Sequence, residues 1–133
     1  MGVSKNKPIN SLSADWYTND KFLKKEINQI FLKSWLLIGP EAQIPNPGDC
    51  LFLSIVNQPI VCVRQEDNSI KTFFNICRHR AGSFENKKSK NNYLVCKYHG
   101  WTYSIDGQLK SPRGFNKSEI VLEELCLKYI STK

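Results

Sequence analysis

Two short segments of this chain each place a cysteine close to a histidine. Residues 77–79 read Cys-Arg-His, and residues 96–99 read Cys-Lys-Tyr-His. Cysteine thiolates and neutral imidazoles are both metal ligands. The chain has only two histidines, so a metal bound by both segments leaves no histidine for a second metal or for acid–base catalysis. The four candidate ligands are Cys77, His79, Cys96 and His99.

Two kinds of metal centre use two cysteines and two histidines. In a Rieske centre, the thiolates hold one iron of a [2Fe–2S] cluster and the imidazoles hold the other. In a structural zinc site, the four ligands surround one ion tetrahedrally. Zinc fingers usually keep the two cysteines together and the two histidines together, whereas each segment here is mixed. The spacing therefore favours the Rieske [2Fe–2S] cluster, with a structural Cys2His2 zinc module as the weaker alternative.

Residues beside the ligands also have expected roles. Each segment follows an apolar run of β type that can hold a loop rigidly. Gly100 gives the second loop room for close approach of the backbone. Four residues are predicted to support the site around the ligands, and they are Arg78, Arg80, Gly100 and Trp101.

The formal net charge is +7, and many of the cations lie around the two segments. These are Arg78, Arg80, Lys87, Lys88, Lys90 and Lys97. They form either a solvated surface loop or an electropositive rim that attracts an acidic redox partner. Because the basic residues follow the ligand segments and not a helix, and no known nucleic-acid motif is present, we expect no nucleic-acid partner.

Length and cysteine content define the broad class. A chain of 133 residues with 41% hydrophobic residues predicts one domain with an ordinary core. No apolar run approaches the roughly 20 residues that span a bilayer, and residues 1–6 do not resemble a signal peptide. We therefore expect a cytoplasmic protein without a membrane partner. An odd number of cysteines, five, argues against a disulfide framework; Cys50, Cys62 and Cys126 are expected to be small buried side chains.

Apolar periodicity predicts one helix followed by short strands. Residues 1–15 read as a flexible segment. Helical spacing predicts a helix over Lys21–Trp35, with Thr18 or Asn19 as its N-cap. A strand is predicted at Trp35–Ile38, ended by Gly39-Pro40, and a turn at Pro45–Asp49. The further predicted strands are Leu51–Val56, Ile60–Arg64, Ile70–Ile76, Tyr93–Cys96 and Trp101–Ile105, with turns at residues 57–59, Glu66–Ser69 and Asp106-Gly107.

Short strands with turn signals between them indicate a mainly β fold, a small antiparallel sandwich or barrel with one N-terminal helix. Residues 16–117 are assigned to this domain with its leading helix. The sequence leaves residues 118–133 open: they form either a tail or the start of a connection, and either a helix or a strand.

The ligand segments and their surroundings resemble a known family. Residues 77–80 (CRHR), residues 96–103 (CKYHGWTY) and Asp106-Gly107 resemble the Rieske domain of the alpha subunit of Rieske non-haem iron aromatic-ring-hydroxylating oxygenases. Upstream, Trp16-Tyr17-Thr18, Trp35 and the Pro47-Gly48-Asp49 turn are similar as well. The likeness covers roughly residues 15–116. Within it, the family usually has Gly-Ala after the first ligand pair where this chain has Ala81-Gly82, and Pro after the second cysteine where it has Lys97.

The resemblance implies a function in electron transfer. The cluster would accept electrons from a reductase or ferredoxin and pass them to a mononuclear iron in a catalytic domain outside this chain. The resemblance also implies the trimeric assembly of the family. The main alternative is a stand-alone Rieske ferredoxin. The N-terminal helix favours the oxygenase, because small ferredoxins of this type usually begin directly at the sheet. No catalytic residue is assigned within this chain.

Overall fold

The computed structural model describes residues 11–84, 93–116, 118 and 120–133. The chain divides into a first unit that ends at Leu37 and a second unit, Ile38–Lys133. Lys87, Lys88 and Lys90 of the predicted basic region lie outside the described residues. Within the described ranges, no helix is long and apolar enough to cross a membrane.

The described residues of the first unit, from residue 11 onward, form two α-helices, α1 (Asp15–Thr18) and α2 (Asp20–Gln29). Asn19 caps α2, since its side chain accepts a hydrogen bond from the backbone N–H of Lys21 at 3.0 Å, as one of the two predicted caps would. The prediction that the helix continues to Trp35 is wrong. After Gln29 the chain tightens into a 3₁₀ turn over Phe31–Lys33, which is common where aromatic and β-branched residues weaken a helix end.

The predicted strand at Trp35–Ile38 is also wrong, because the segment belongs to neither sheet. Its apolar composition suggested a buried strand. Leu37, however, is 94% exposed, so the burial that would favour pairing does not occur. An apolar run alone does not define a strand without a neighbouring strand to receive its hydrogen bonds.

Among the described residues, the second unit contains two antiparallel sheets. The strands are β1 (Cys50–Ile55), β2 (Gln58–Arg64), β3 (Ile70–Phe74), β4 (Tyr93–Val95), β5 (Thr102–Ser104), β6 (Leu109–Ser111) and β7 (Tyr129–Ile130). The four-stranded sheet has the order β1-β2-β3-β7 and the three-stranded sheet has the order β4-β5-β6. This confirms the mainly β, antiparallel fold class.

The first hairpin turn lies earlier than predicted. Val56 and Asn57 have φ of 49° and 61°, the two positive values that a tight two-residue hairpin turn requires. Strand β2 therefore begins at Gln58, and Pro59 pairs with Ser54 inside the ladder, where the sequence suggested a turn. The predicted turns at Pro45–Asp49 and Glu66–Ser69 are confirmed.

The strands that lead to the ligand segments are shorter than predicted. Strand β3 ends at Phe74; the backbone N–H of Asn75 still donates to Pro59 O of β2 at 2.9 Å, and its side chain accepts a hydrogen bond from the Phe84 backbone N–H at 2.7 Å. Strand β4 ends at Val95, and Cys96 forms an isolated bridge with Phe84. Strand β5 covers only Thr102–Ser104. Each ligand segment thus begins in a loop immediately after a strand.

The C-terminal segment packs onto the rest of the second unit. It contains a 3₁₀ turn at Leu122–Leu125 and then β7. Strand β7 pairs with β3, with Phe73 opposite Tyr129. Leu127 is buried, and its N–H donates to Gly107 O at 2.8 Å. The segment therefore has both 3₁₀-helical and strand character, the alternative that the sequence left open.

The largest buried cluster joins both sheets to the ligand loops. It contains Val61, Phe73, Leu94, Trp101 and Tyr103 together with the two candidate ligand cysteines. All five cysteines are free thiols. Cys62 is buried as expected, whereas Cys50 and Cys126 are only partly buried.

Candidate metal centre

The first ligand loop follows β3 and is closed by its own backbone. The N–H of Cys77 donates to Gly82 O at 2.7 Å, and the N–H of Ala81 donates to Cys77 O at 3.0 Å. Ala81 has φ of 54°, a left-handed conformation that costs a residue with a Cβ about 1–2 kcal/mol. The loop thus turns tightly enough to bring its last residue, Gly82, back beside its first, Cys77.

The second ligand loop repeats this backbone pattern. The N–H of Cys96 donates to Trp101 O at 2.8 Å, and the N–H of Gly100 donates to Cys96 O at 2.9 Å. Gly100 has φ of 72°, so it occupies the position that Ala81 holds in the first loop. Its main role is this left-handed turn, since an added Cβ would make only ordinary contacts with Arg113.

The two loops are fastened to each other. The N–H of Lys97 donates to Ser83 O at 3.2 Å. A Cβ on Gly82 would lie 2.8 Å from Cys96 Sγ and 2.9 Å from Tyr98 Cβ, so only glycine fits there. In this chain, Ala81 therefore occupies the left-handed position and Gly82 occupies the position of closest approach.

The two candidate ligand cysteines form a buried pair. Cys77 is 2% exposed and Cys96 is 3% exposed. Burial raises the pKa of the Cys77 thiol; hydrogen bonds to the Tyr103 hydroxyl and to the His79 backbone oppose this rise, and the neighbouring Cys96 thiol adds to it. The thiols therefore lie next to each other inside the core.

The two histidines form a second pair, nearer the surface. The ring centroids of His79 and His99 are 4.8 Å apart. Partial burial lowers the pKa of His79, and the positive charges of His99 and Arg80 lower it further. A lowered pKa favours the neutral imidazole, which is the form that binds a metal.

Aromatic rings hold the histidines in place. Trp101 stacks on the His79 ring at 4.7 Å with an interplanar angle of 7°, and it is itself buried. Phe115 approaches the His79 ring edge-on at 5.7 Å. Tyr98 stacks on the His99 ring at 3.8 Å. Of the supporting residues that the sequence predicts, Trp101 and Gly100 thus line the site, whereas Arg78 and Arg80 are exposed at its rim.

Sequence reasoning missed Tyr103. Its buried hydroxyl lies 3.4 Å from Cys77 Sγ and accepts a hydrogen bond from the Arg78 backbone N–H at 3.2 Å. Burial, followed by the contact with Cys77, raises the pKa of this phenol well above its ordinary value. The alternation of Thr102-Tyr103-Ser104 indicates that Tyr103 faces inward, but not that it reaches a loop 26 residues earlier in the chain.

The site therefore contains two ligand pairs rather than one set of four. Within the described ranges, no three His, Cys, Asp or Glu side chains converge in a way that could hold a single metal ion. A buried thiol pair beside a more exposed imidazole pair fits the division of ligands in a Rieske [2Fe–2S] cluster, where each pair serves a different iron.

Comparison with known proteins agrees with this chemistry. Residues 34–121 match the family model described as Rieske [2Fe-2S] domain. The chain belongs to the Rieske [2Fe–2S] domain family. Its cofactor is a Rieske-type [2Fe–2S] cluster, so the zinc alternative is set aside.

Curated relatives place this Rieske domain among oxygenase alpha subunits. It is 40% identical over 94 residues to the biphenyl dioxygenase subunit alpha of Metapseudomonas furukawaii, a match that covers 70% of this chain and 20% of that protein. It is 33% identical over 124 residues to the glycine betaine monooxygenase oxygenase subunit of Pseudomonas aeruginosa, covering 92% of this chain and 29% of that protein.

Solved structures show the same fold. The quaternary ammonium Rieske monooxygenase CntA, solved in complex with its substrate L-carnitine, superposes with a TM-score of 0.81 at 26% identity, covering 90% of this chain and 34% of that chain. Naphthalene 1,2-dioxygenase with bound indole superposes with a TM-score of 0.73 at 29% identity, covering 84% and 26%. The chain thus spans a fifth to a third of the length of these relatives and is an electron-transfer domain of the oxygenase alpha-subunit type.

Proposed function

We propose that Cys77 and Cys96 hold one iron of the [2Fe–2S] cluster, and that His79 and His99 hold the other. The cluster accepts an electron from a reductase or ferredoxin and passes it to a mononuclear iron site of a ring-hydroxylating oxygenase. The observation that supports this assignment best is the separation of a buried thiol pair from an imidazole pair nearer the surface. The electron would then enter and leave on the imidazole side.

Hydroxylation is assigned to residues outside this chain. In the proposed oxygenase, the mononuclear iron needs two histidines and one carboxylate. The sequence has two histidines, and both are committed to the cluster. We therefore expect this chain alone to hydroxylate no substrate. The choice between dioxygenase and monooxygenase chemistry, and the substrate, belong to the catalytic part.

Cluster content tests the ligand assignment. We expect the reconstituted chain to bind about two irons and about two acid-labile sulfides. Replacing His79 or His99 with alanine should abolish the Rieske-type electron paramagnetic resonance signal, because the second iron loses a ligand. As a matched control, Cys126→Ala removes a free cysteine outside the ligand loops and should retain the signal. One bound zinc without sulfide, or an unchanged signal in both histidine variants, would contradict the assignment.

The stand-alone ferredoxin remains the second candidate. A fusion of this chain to an oxygenase catalytic domain distinguishes the two candidates. Restored substrate oxidation in the fusion supports the alpha-subunit function. Electron transfer that occurs only between separate proteins supports the ferredoxin. A trimeric assembly with catalytic domains and a cytoplasmic location stay predictions, which native mass spectrometry of that fusion and cell fractionation would check.

A further inference from the structure

A third loop of the second unit reaches the two ligand loops, although it contains none of the four candidate ligands. It follows β6, whose last residue, Ser111, pairs with the first residue of β5, immediately after the second ligand loop. Residues 112–115 (Pro-Arg-Gly-Phe) then form a turn, which the Phe115 N–H closes by donating to Pro112 O at 3.0 Å. Gly114 has φ of 91°, the positive value that the third position of a type II turn requires.

Trp101 joins this turn to both ligand loops. Its backbone oxygen accepts the Cys96 N–H at 2.8 Å and thereby closes the second loop. Its ring stacks on His79 of the first loop at 4.7 Å. Its indole N–H donates to Arg113 O of the turn at 3.2 Å. One buried residue thus contacts all three segments.

The turn also has contacts of its own with the site. The Phe115 ring meets the His79 ring edge-on at 5.7 Å and the Trp101 ring edge-on at 5.8 Å. A Cβ on Gly100 would lie 3.4 Å from Arg113 Cδ, so the Arg113 side chain packs against the left-handed residue of the second ligand loop. The turn therefore contacts residues of both ligand loops.

These contacts bear on the orientation of the His79 ring. The χ2 torsion of histidine is broad, so the side chain does not define its own ring plane sharply. An imidazole that binds a metal must point one nitrogen at it, and neighbouring groups normally fix that orientation. The Trp101 ring lies at an interplanar angle of 7° to the His79 ring, so rotation of the imidazole would break the stacking. The indole restrains the imidazole only while it is held itself, and its hydrogen bond to the turn holds it.

We propose that the turn at residues 112–115 is a third segment of the cluster site, and that Trp101 is the positioning residue through which this turn orients the His79 ring. This inference rests on the proposed function, because it takes His79 as an iron ligand. A wider range of ring orientations weakens the bond between the imidazole and its iron. Loss of the turn should therefore make the cluster easier to release, although every ligand is still present.

Gly114→Ala tests the turn. A Cβ added at Gly114 would have nothing within 4 Å, so the substitution disfavours the φ of 91° without a steric clash. The matched control is Gly48→Ala, which places a Cβ at φ of 82° in a turn outside the three segments. The measurement is the rate of cluster release to an iron chelator, followed by visible absorption. We expect the rate to rise about threefold to tenfold in Gly114→Ala and to change less than about twofold in Gly48→Ala.

Trp101→Phe tests the connection between the turn and the ring. Phenylalanine keeps an aromatic ring beside His79 but cannot donate to Arg113 O. We expect cluster release to accelerate about twofold to tenfold, the factor that one neutral hydrogen bond provides. Combined with Gly114→Ala, it should release the cluster no faster than the faster single variant, because both substitutions remove the same restraint. Effects that multiply would show that the turn does not act through Trp101.

Electron spin echo modulation of the reduced cluster provides a readout that a general loss of stability would not move. It measures the coupling of each ligand imidazole nitrogen to the cluster, and this coupling depends on the orientation of the ring. We expect one of the two nitrogen couplings to shift or broaden in Gly114→Ala and in Trp101→Phe. Both couplings should keep their wild-type values in Gly48→Ala.

Three outcomes would overturn the inference: wild-type release rates in Gly114→Ala and Trp101→Phe, equal acceleration in Gly48→Ala, or unchanged nitrogen couplings in both site variants. If Gly114→Ala does not fold, the release rate and the couplings of Trp101→Phe decide. None of these outcomes contradicts the proposed function, because the ligands still bind the cluster. A wild-type chain that takes up no [2Fe–2S] cluster would contradict the proposed function, and this inference would fail with it.

Discussion

The Tyr103 hydroxyl should tune the reduction potential of the cluster. The Arg78 N–H already donates to the hydroxyl oxygen at 3.2 Å, so the hydroxyl proton is left to point at Cys77 Sγ, 3.4 Å away. Reduction adds a negative charge to the cluster and its sulfurs. A hydrogen bond to sulfur therefore stabilises the reduced state more than the oxidised state. Tyr103→Phe removes this bond together with the acceptor of the Arg78 N–H, and keeps the ring that fills the core.

The size of the effect follows from hydrogen-bond energies. A bond to a charged group contributes about 1.5–3 kcal/mol, and a neutral one about 0.5–1.5 kcal/mol. One added electron should thus strengthen this bond by about 1 kcal/mol. A tenfold change in an equilibrium constant corresponds to about 1.4 kcal/mol, and to about 59 mV for a one-electron reduction, so 1 kcal/mol corresponds to about 40 mV. We expect the midpoint potential of Tyr103→Phe to be lower by about 20–60 mV.

Redox titration at neutral pH, followed by the visible absorption of the cluster, measures this shift. Tyr93→Phe is the matched control, because Tyr93 is 42% exposed and lines an open groove at the strand ends that lie away from the ligand loops. It should leave the potential unchanged. A potential that stays within about 10 mV of the wild-type value, or that rises in Tyr103→Phe, would show that the hydroxyl does not donate to the sulfur.

Two further predictions concern stability. Ala81→Gly should raise the free energy of unfolding by about 0.5–1 kcal/mol, because relief of the left-handed strain at φ of 54° exceeds the entropic cost of glycine. The control Ala42→Gly, on an exposed 3₁₀ turn, should instead lower the free energy of unfolding. Equal effects of the two substitutions in denaturant unfolding would show that Ala81 is not strained. Burial, helped by Asp49 and Cys62, raises the pKa of Cys50 from 9.0 to about 11. Its stabilising contribution is therefore complete below about pH 9 and is lost as the pH rises through about 11. The expected loss of unfolding free energy is about 2–3 kcal/mol, which Cys50→Ala reduces and Cys126→Ala does not.

The ligand segments and the fold class could be predicted from the sequence because their signals are local. A cysteine and a histidine separated by one or two residues lie in one loop whatever the rest of the chain does. Strand alternation and turn residues likewise act over a few positions. For this reason the sequence predicts strands β1 to β3 closely, and each of their ends differs from the structure by two residues or fewer.

The failures arose where a distant contact decided the structure. Trp35–Ile38 has a strand composition, but it pairs with no strand in the part of the chain that the structure describes. Strand β3 stops at Phe74, and the next side chain, Asn75, accepts a hydrogen bond from the Phe84 backbone N–H across the first ligand loop. Tyr103 reaches Cys77 only because the two sheets share one core. Such contacts depend on tertiary packing, which overrides local propensity.

The two ligand loops show how one backbone design serves two ligand spacings. Both close with the same pair of hydrogen bonds from the cysteine and from the residue four positions later. Histidine is the second residue after Cys77 but the third after Cys96. Equal turns with unequal spacing place the two rings differently: His79 contacts Trp101 and Phe115, whereas His99 stacks on exposed Tyr98. The cysteines belong to the core while the rings lie nearer the surface, and this arrangement supports the proposed electron path through the imidazoles.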